Sequence, residues 1–251
     1  MPDFSGLLQG PFEWAAFLGC AVLIGMSKTG IPNTGTFTVP IFALLFGAKE
    51  STGVVLPMLC FADLLAVIYY RKKFHRDLVF KPMPWALLGL LTGLMAGHLV
   101  PHGGFRVMMA ICILLGIVTM VGTQQPERAH RLTSSVYFAP VMGFLLGFST
   151  MVGNAAGPLL VVYLLAMQLP KYAFVATGAW FIMILNYTKI PLQALVWDNL
   201  SWEGLLLDAA AVPCILIGGF LGIRIVRILP ERQFRAAMII LTVASTLILL
   251  F

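Results

Sequence analysis

Charge is scarce in this chain. Of its 251 residues only 10% are Asp, Glu, Lys or Arg, against 60% hydrophobic residues and a mean hydropathy of +0.95. Water-soluble domains carry about 25% charged residues, so the bilayer is the solvent this sequence is written for. Cysteine is thin as well: Cys20, Cys60, Cys112 and Cys214 all fall inside apolar stretches, with no Cys-x-x-Cys pair. They read as small buried hydrophobes, not as a disulfide scaffold or thiolate metal site. His75, His102 and His130 fall in expected loops and His98 at the end of a span, so no metal and no other cofactor is expected. Gly-x-Ser-x-Gly, His-Glu-x-x-His and a Walker-type phosphate loop are missing, which argues against an enzyme and against drive by a nucleotide. The opening MPDFSGLLQG lacks a basic n-region, so it does not read as a cleaved signal peptide.

What the chain has is apolar length. Stretches run from about Phe12 to Phe46, Ser51 to Tyr70, Pro82 to Val100, Phe105 to Gly122, Ser135 to Leu169, Tyr172 to Trp197, Glu203 to Val226 and Phe234 to Phe251. Several reach the ~20 residues a spanning helix needs, so the expected fold class is an all-α polytopic membrane protein of about eight to ten helical segments. The net charge of +6 comes from basic residues in short loops, the positive-inside pattern, and not from a patch fitted to nucleic acid. The basic loops Arg71–Lys81, Gln124–Arg131 and Arg224–Arg232 are expected on the cytoplasmic side, and the acidic, aromatic loop Trp197–Glu203 suits the outer one.

Two of the apolar stretches are broken. Gly25 to Pro40, GMSKTGIPNTGTFTVP, and Gly147 to Pro158, GFSTMVGNAAGP, crowd glycine, proline and hydroxyl side chains into hydrocarbon sequence. Such breaks survive in a membrane only against protein or a water-filled cavity. For all three basic loops to share a side, Ser135–Leu169 must cross an even number of times, as a helical hairpin. By symmetry Phe12–Phe46 is a hairpin entering from the opposite face. The expected organisation is two inverted membrane repeats, residues 1–125 and 126–251, with both termini outside. Gly25, Ser27, Gly35 and Lys49 align without gaps on Gly147, Ser149, Gly157 and Lys171, and Gly93-x-x-x-Gly97 before Phe105-Arg106 echoes Gly218-x-x-x-Gly222 before Phe234-Arg235. Paired interruptions in corresponding halves point to a transporter's binding site. The rows Gly89, Gly93, Gly97 and Gly143, Gly147 are read as helix-packing positions.

The residues able to carry chemistry gather at these breaks. Lys28 at depth, flanked by Ser27, Thr29 and Gly30, marks an anion site, since helix N-termini at a break would add free N–H groups and partial positive charge. Asn33, Thr34, Gly35 and Thr36 in the first break, with Ser149, Thr150, Gly153, Asn154 and Gly157 in the second, are candidate oxyanion partners; their bland role is to satisfy the broken backbone itself. Asp63 lies deep in its span and is the candidate proton-coupling carboxylate, or else a structural partner for Lys28 or Lys189. Asn186, Lys189 and Asp208 are secondary candidates, with Lys189 and Asp208 expected nearer the outer surface, where snorkelling is cheap.

Together these features resemble the sulfite exporter TauE/SafE family, also called the toluene sulfonate uptake permease family. The resemblance rests on Gly-x-Ser-Lys-Thr-Gly-Ile at Gly25–Ile31, the Gly-x-x-x-Gly and Phe-Arg pattern closing each half, and the motif at Gly147–Pro158. It implies an inner-membrane secondary carrier of sulfite, a sulfonate or a related sulfur-containing organic anion, in some members with protons. A carboxylate carrier is the alternative, and an intramembrane enzyme a more distant one. The expected partners are the anion, protons and the lipid bilayer, and a homodimer is compatible with the sequence. The second break carries Thr150 where the first has Lys28, so two equivalent lysines are not expected.

Overall fold

The computed structural model describes residues 8, 10–47, 49–99 and 135–250, except the side chains of residues 98 and 245–250. The expected span Phe105–Gly122, the loop Gln124–Arg131, Cys112, His102 and His130 lie outside these residues, as does the side chain of His98. Ten α-helices occur among the described residues and no strand: α1 (Pro11–Thr29), α2 (Thr38–Phe46), α3 (Glu50–Tyr70), α4 (Arg76–Phe80), α5 (Met83–Leu99), α6 (Phe138–Gly153), α7 (Gly157–Ala166), α8 (Lys171–Leu192), α9 (Trp202–Ile228) and α10 (Glu231–Leu250). The stretches Glu50–Tyr70, Arg76–Gly97, Lys171–Trp197 and Trp202–Ile228 are long and apolar enough to cross a membrane. Ile68, Phe220 and Ile240 are each at least 60% exposed, as expected of faces turned to lipid rather than water. The chain is an all-α polytopic membrane protein.

Both broken stretches are hairpins. Phe17, early in α1, packs its ring edge-on against Phe42 and Phe46, late in α2, so α2 runs back along α1. Phe138, at the start of α6, stacks on Tyr163 near the end of α7, and α7 returns in the same way. The helical interruptions are narrower than the polar sequence around them. The first comprises Gly30–Asn33 and a short 3-10 turn, Thr34–Phe37; the second is only Asn154–Ala156. Gly25–Thr29 and Gly147–Gly153 stay helical, because a lone glycine or hydroxyl residue costs a helix too little to end it. Each break turns on an asparagine with left-handed backbone, Asn33 (φ 74°) and Asn154 (φ 52°), the residue besides glycine that best tolerates this conformation.

Glycine governs how the two halves pack. A Cβ on Gly25 would collide with the Ile215 carbonyl, one on Gly218 with Val22, and one on Gly30 with Gly222, so α1 and α9 touch backbone to backbone. Gly89 lies likewise against Phe144, Gly147 against Ala86 and Gly143 against Pro82, joining α5 to α6. In the second set the contact positions rise together along both helices, which makes α5 and α6 parallel. By contrast α3 and α8 are antiparallel: Tyr70 meets Tyr172, Ala66 and Val67 pack with Ala179, Asp63 meets Asn186 and Gly53 meets Asn199.

The loops at the two ends of this pair differ. At one end Arg227 bonds the Tyr69 hydroxyl (3.2 Å), Lys73 lies over the Tyr172 ring and the Lys171 ammonium caps the carbonyls of Val226 and Leu229. The basic stretches Arg71–Lys81 and Arg224–Arg232 therefore share an end, although α4 makes the first partly helical and only Leu229 and Pro230 of the second lie outside α9 and α10. At the other end Lys49 lies over Trp197 and Asn199 bonds the Lys49 carbonyl.

Gly147→Ala is expected to lower the stability of the detergent-solubilised protein by ~1–3 kcal/mol through overpacking against α5. Gly19→Ala, where a Cβ meets nothing within 4 Å, should leave stability unchanged or slightly raised; paired thermal-unfolding measurements check this.

Candidate functional site

The two breaks converge on one cavity of about 90 Å³. On the same measure a single water needs ~10–15 Å³, so a small oxyanion with some of its waters fits. The polar part of the wall comes from Ser27 and Lys28 at the end of α1, Asn33, Gly35 and Thr36 of the first break, Asp63 of α3, Thr150, Asn154 and Gly157 around the second break, and Asn186 of α8. Leu59, Leu160, Phe174 and Ile182 form an apolar wall.

Lys28 and Asp63 meet here, 2.8 Å apart. The carboxylate is fully buried, whereas the Lys28 side chain keeps 16% exposure, so the ammonium is the member of the pair that an incoming ligand can touch. Asn186 donates from Nδ2 to the second carboxylate oxygen at 2.6 Å. Asp63 thus has an ion-pair partner at one oxygen and a hydrogen-bond donor on the other, which offsets the cost of burying the charge. Lys28 lies in the last turn of α1, the partially negative end, which favours a cation. Two helix N-termini reach the cavity, that of α2 through Thr38 and Val39 and that of α7 through Gly157. A Cβ on Gly157 would come within 2.5 Å of Asn33 Oδ1 and 2.9 Å of Thr36 Oγ1, so the two breaks touch at a glycine.

The structure corrects the expectation for Lys189 and Asp208, neither of which snorkels to a surface. Lys189 is 0% exposed, and its ammonium donates to the Thr150 carbonyl (3.1 Å), to Thr150 Oγ1 (3.2 Å) and to Asn154 Oδ1. Three acceptors match the three N–H bonds of an ammonium. The second break therefore does receive a lysine, brought in from α8. Its signal in the sequence was the i, i+3 spacing of Asn186 and Lys189, which puts both on one face of a helix. Asp208 is buried in α9, is not among the residues lining the cavity, and neither of its oxygens has a hydrogen-bond donor among the described residues.

Several other candidates serve the backbone. The single Thr29 hydroxyl proton can go to the Gly219 carbonyl (2.7 Å) or the Gly25 carbonyl (3.1 Å), and the Thr29 carbonyl accepts from Tyr70. Gly30 packs on Gly222, and Thr34 bonds the Ile31 carbonyl. Asn33 Nδ2 donates to Thr242 of α10, and Asn33 Oδ1 is buried with no hydrogen-bond donor among the described residues. Ser149 Oγ is likewise buried with no partner among the described residues. Gly153 belongs to a smaller neighbouring cavity of about 30 Å³, lined also by Thr38, Val39, Ser51, Thr52, Val55 and Asn154. The apolar wall and Thr52 were not among the candidates, since nothing in an apolar helix marks which side chains face a void.

Asp63→Leu should strand the Lys28 ammonium and cost roughly 3 kcal/mol, the low end of the range for breaking a buried pair because Lys28 still reaches the cavity. Combining it with Lys28→Met should restore most of the loss; a double-mutant cycle on thermal stability measures the coupling.

Comparison with protein families places this geometry in context. The family model described as Sulfite exporter TauE/SafE matches residues 17–249. No curated protein and no solved structure matches the chain.

Proposed function

Because the chain belongs to the sulfite exporter TauE/SafE family, whose members are membrane transporters of the sulfite and sulfonate type, we propose that it is a secondary carrier of a small sulfur-containing oxyanion with Lys28 as its anchoring cation. The observation that supports this reading is the convergence of both helix breaks and the Lys28–Asp63 pair on a single cavity. The oxyanion binds Lys28, with the α7 N-terminus and the hydroxyls of Ser27 and Thr36 around it. The organic part of a sulfonate lies along Leu59, Phe174 and Ile182.

Coupling follows from charge balance. Empty, Lys28 and Asp63 neutralise each other. An anion entering alone leaves a net negative charge in a poorly solvated space, which is costly. An anion entering with a proton on Asp63 leaves the pair's charge unchanged, because the anion takes the carboxylate's place beside Lys28. Anion and proton accordingly travel in the same direction, and the sum of their gradients sets whether net flux is export or import.

The antiparallel α3–α8 pair and the parallel α5–α6 pair support an inverted repeat, divided at residues 1–125 and 126–251. The shared end of two basic loops supports a bacterial inner-membrane protein with that end in the cytoplasm and the termini outside. Alternating access comes from movement of one repeat against the other.

Sulfite and a panel of sulfonates should leave wild-type proteoliposomes at a rate that responds to an imposed pH gradient. Lys28→Ala should lose at least about 90% of the flux, the loss of one charged hydrogen bond to the substrate being worth more than tenfold. Asp63→Asn should retain downhill flux but lose its response to the gradient. Wild-type protein that moves no sulfite, sulfonate or carboxylate overturns the reading.

A further inference from the structure

Beyond the cavity that the transport reading uses, a polar contact closes off a second space. The larger and smaller cavities share Thr38, Val39, Val55 and Asn154 as lining. The smaller one continues to Ser51 and Thr52 in the first turn of α3, at the end of the molecule where Lys49 covers Trp197. Between them stands Asn154. Its Nδ2 donates to the Thr52 carbonyl at 3.3 Å, across from the second break to α3.

That contact depends on Lys189. An asparagine side chain can present either its oxygen or its NH2 to Thr52. Only the NH2 can bond a carbonyl. The Lys189 ammonium occupies Asn154 Oδ1 and also holds the preceding turn through Thr150, so the amide is turned with its donor toward Thr52. Behind Thr52, Asn199 donates to Thr52 Oγ1 at 3.2 Å and to the Lys49 carbonyl, fixing the acceptor's side of the contact. These contacts are hydrogen bonds, uncharged apart from Lys189, and exchangeable for water at small net cost. The α5–α6 contact behind the second hairpin, by contrast, is backbone against glycine and does not open without unpacking.

We propose that Asn154, aimed by Lys189, is the bolt of a gate between the binding cavity and the Lys49 end of the protein, and that the oxyanion crosses on that side when the Asn154–Thr52 contact parts. Lys189 is a positioning residue in this arrangement: it touches the second break and not the cavity. The inference rests on the carrier reading for its purpose, but the gate itself is measurable without any substrate.

The test uses the full chain with its native cysteines replaced and Leu59→Cys introduced as a reporter in the binding cavity. It is reconstituted in vesicles of sorted orientation, and Lys49→Cys in a parallel sample identifies the face. A membrane-impermeant maleimide should label Leu59→Cys slowly from the Lys49 face. Lys189→Met and Asn154→Ala should each raise that rate about tenfold, as the loss of a buried hydrogen bond predicts, with the rate from the opposite face unchanged. Asn154→Asp keeps the acceptor for Lys189 but has no N–H for Thr52, so it should open the gate while preserving the fold, which covers the event that Lys189→Met does not fold. An unchanged rate in Asn154→Asp, or a rate that rises equally from both faces, overturns the proposal. Faster labelling in a protein that moves none of the tested anions would sink the carrier reading and leave the gate standing; transport with unaltered labelling would do the reverse.

Discussion

The Lys28–Asp63 pair is the interaction on which the rest of the site depends. A carboxylate with no exposed surface, deep in an apolar helix, is costly unless partners reach its oxygens. Here they come from opposite halves of the chain, the ammonium from the end of α1 and the amide from α8. To supply the ammonium, α1 must stop beside the middle of α3. To supply Asn186, α8 must run antiparallel to α3 at the same depth. The two requirements bring the first break, α3 and α8 to one place, and the cavity is the space they leave.

The two breaks solve the problem of unpaired backbone in hydrocarbon differently. The first is satisfied largely from within: Thr34 and Thr38 return their hydroxyls to carbonyls of the same turn, and Asn33 takes one partner from α10. The second has fewer hydroxyl groups and recruits a buried ammonium instead, with Lys189 bridging Thr150 and Asn154. The lysine at the first break faces the cavity while the lysine at the second is spent on structure. Of these two lysines only Lys28 keeps any exposure and lines the cavity.

Much of the fold could be read in advance because hydrocarbon leaves few options. Spans, hairpins and close-packing glycines each follow from a single constraint that a linear pattern expresses, and Gly89, Gly143 and Gly147 sit against backbone as their spacing required. The site was legible as a pair of breaks and a few polar residues within spans, but not as a set of contacts. The depth of Lys189 depends on tilt and rotation of α8, set by packing that no local pattern records. The choice of Lys28 as Asp63's partner over Lys189 depends on where α1 ends, and the polar sequence ran several residues to either side of the actual break. The apolar wall was invisible for a related reason: Phe174 facing a void and Phe234 facing a neighbour, T-shaped against Phe174 itself, look alike in sequence.

The distribution of contact types argues for what can move. Backbone-on-glycine contacts tie α1 to α9 and α5 to α6, pairings of each half's hairpin with the third span of the other. Such contacts have no side chain to rearrange, so each pair behaves as a unit. Outside these seams, long-range side-chain contacts reach α3 and α10: Lys28 to Asp63, Asn33 to Thr242, Asn154 to Thr52. Hydrogen bonds of this kind exchange for water or for a ligand's oxygens with little net change in free energy, whereas parting a glycine-packed pair loses dispersion contacts that nothing replaces. A rearrangement that trades polar links and spares the glycine seams is therefore the cheapest one open to this architecture. All three of those links lie around the cavity that the two breaks share, so filling it is the event best placed to tip the balance.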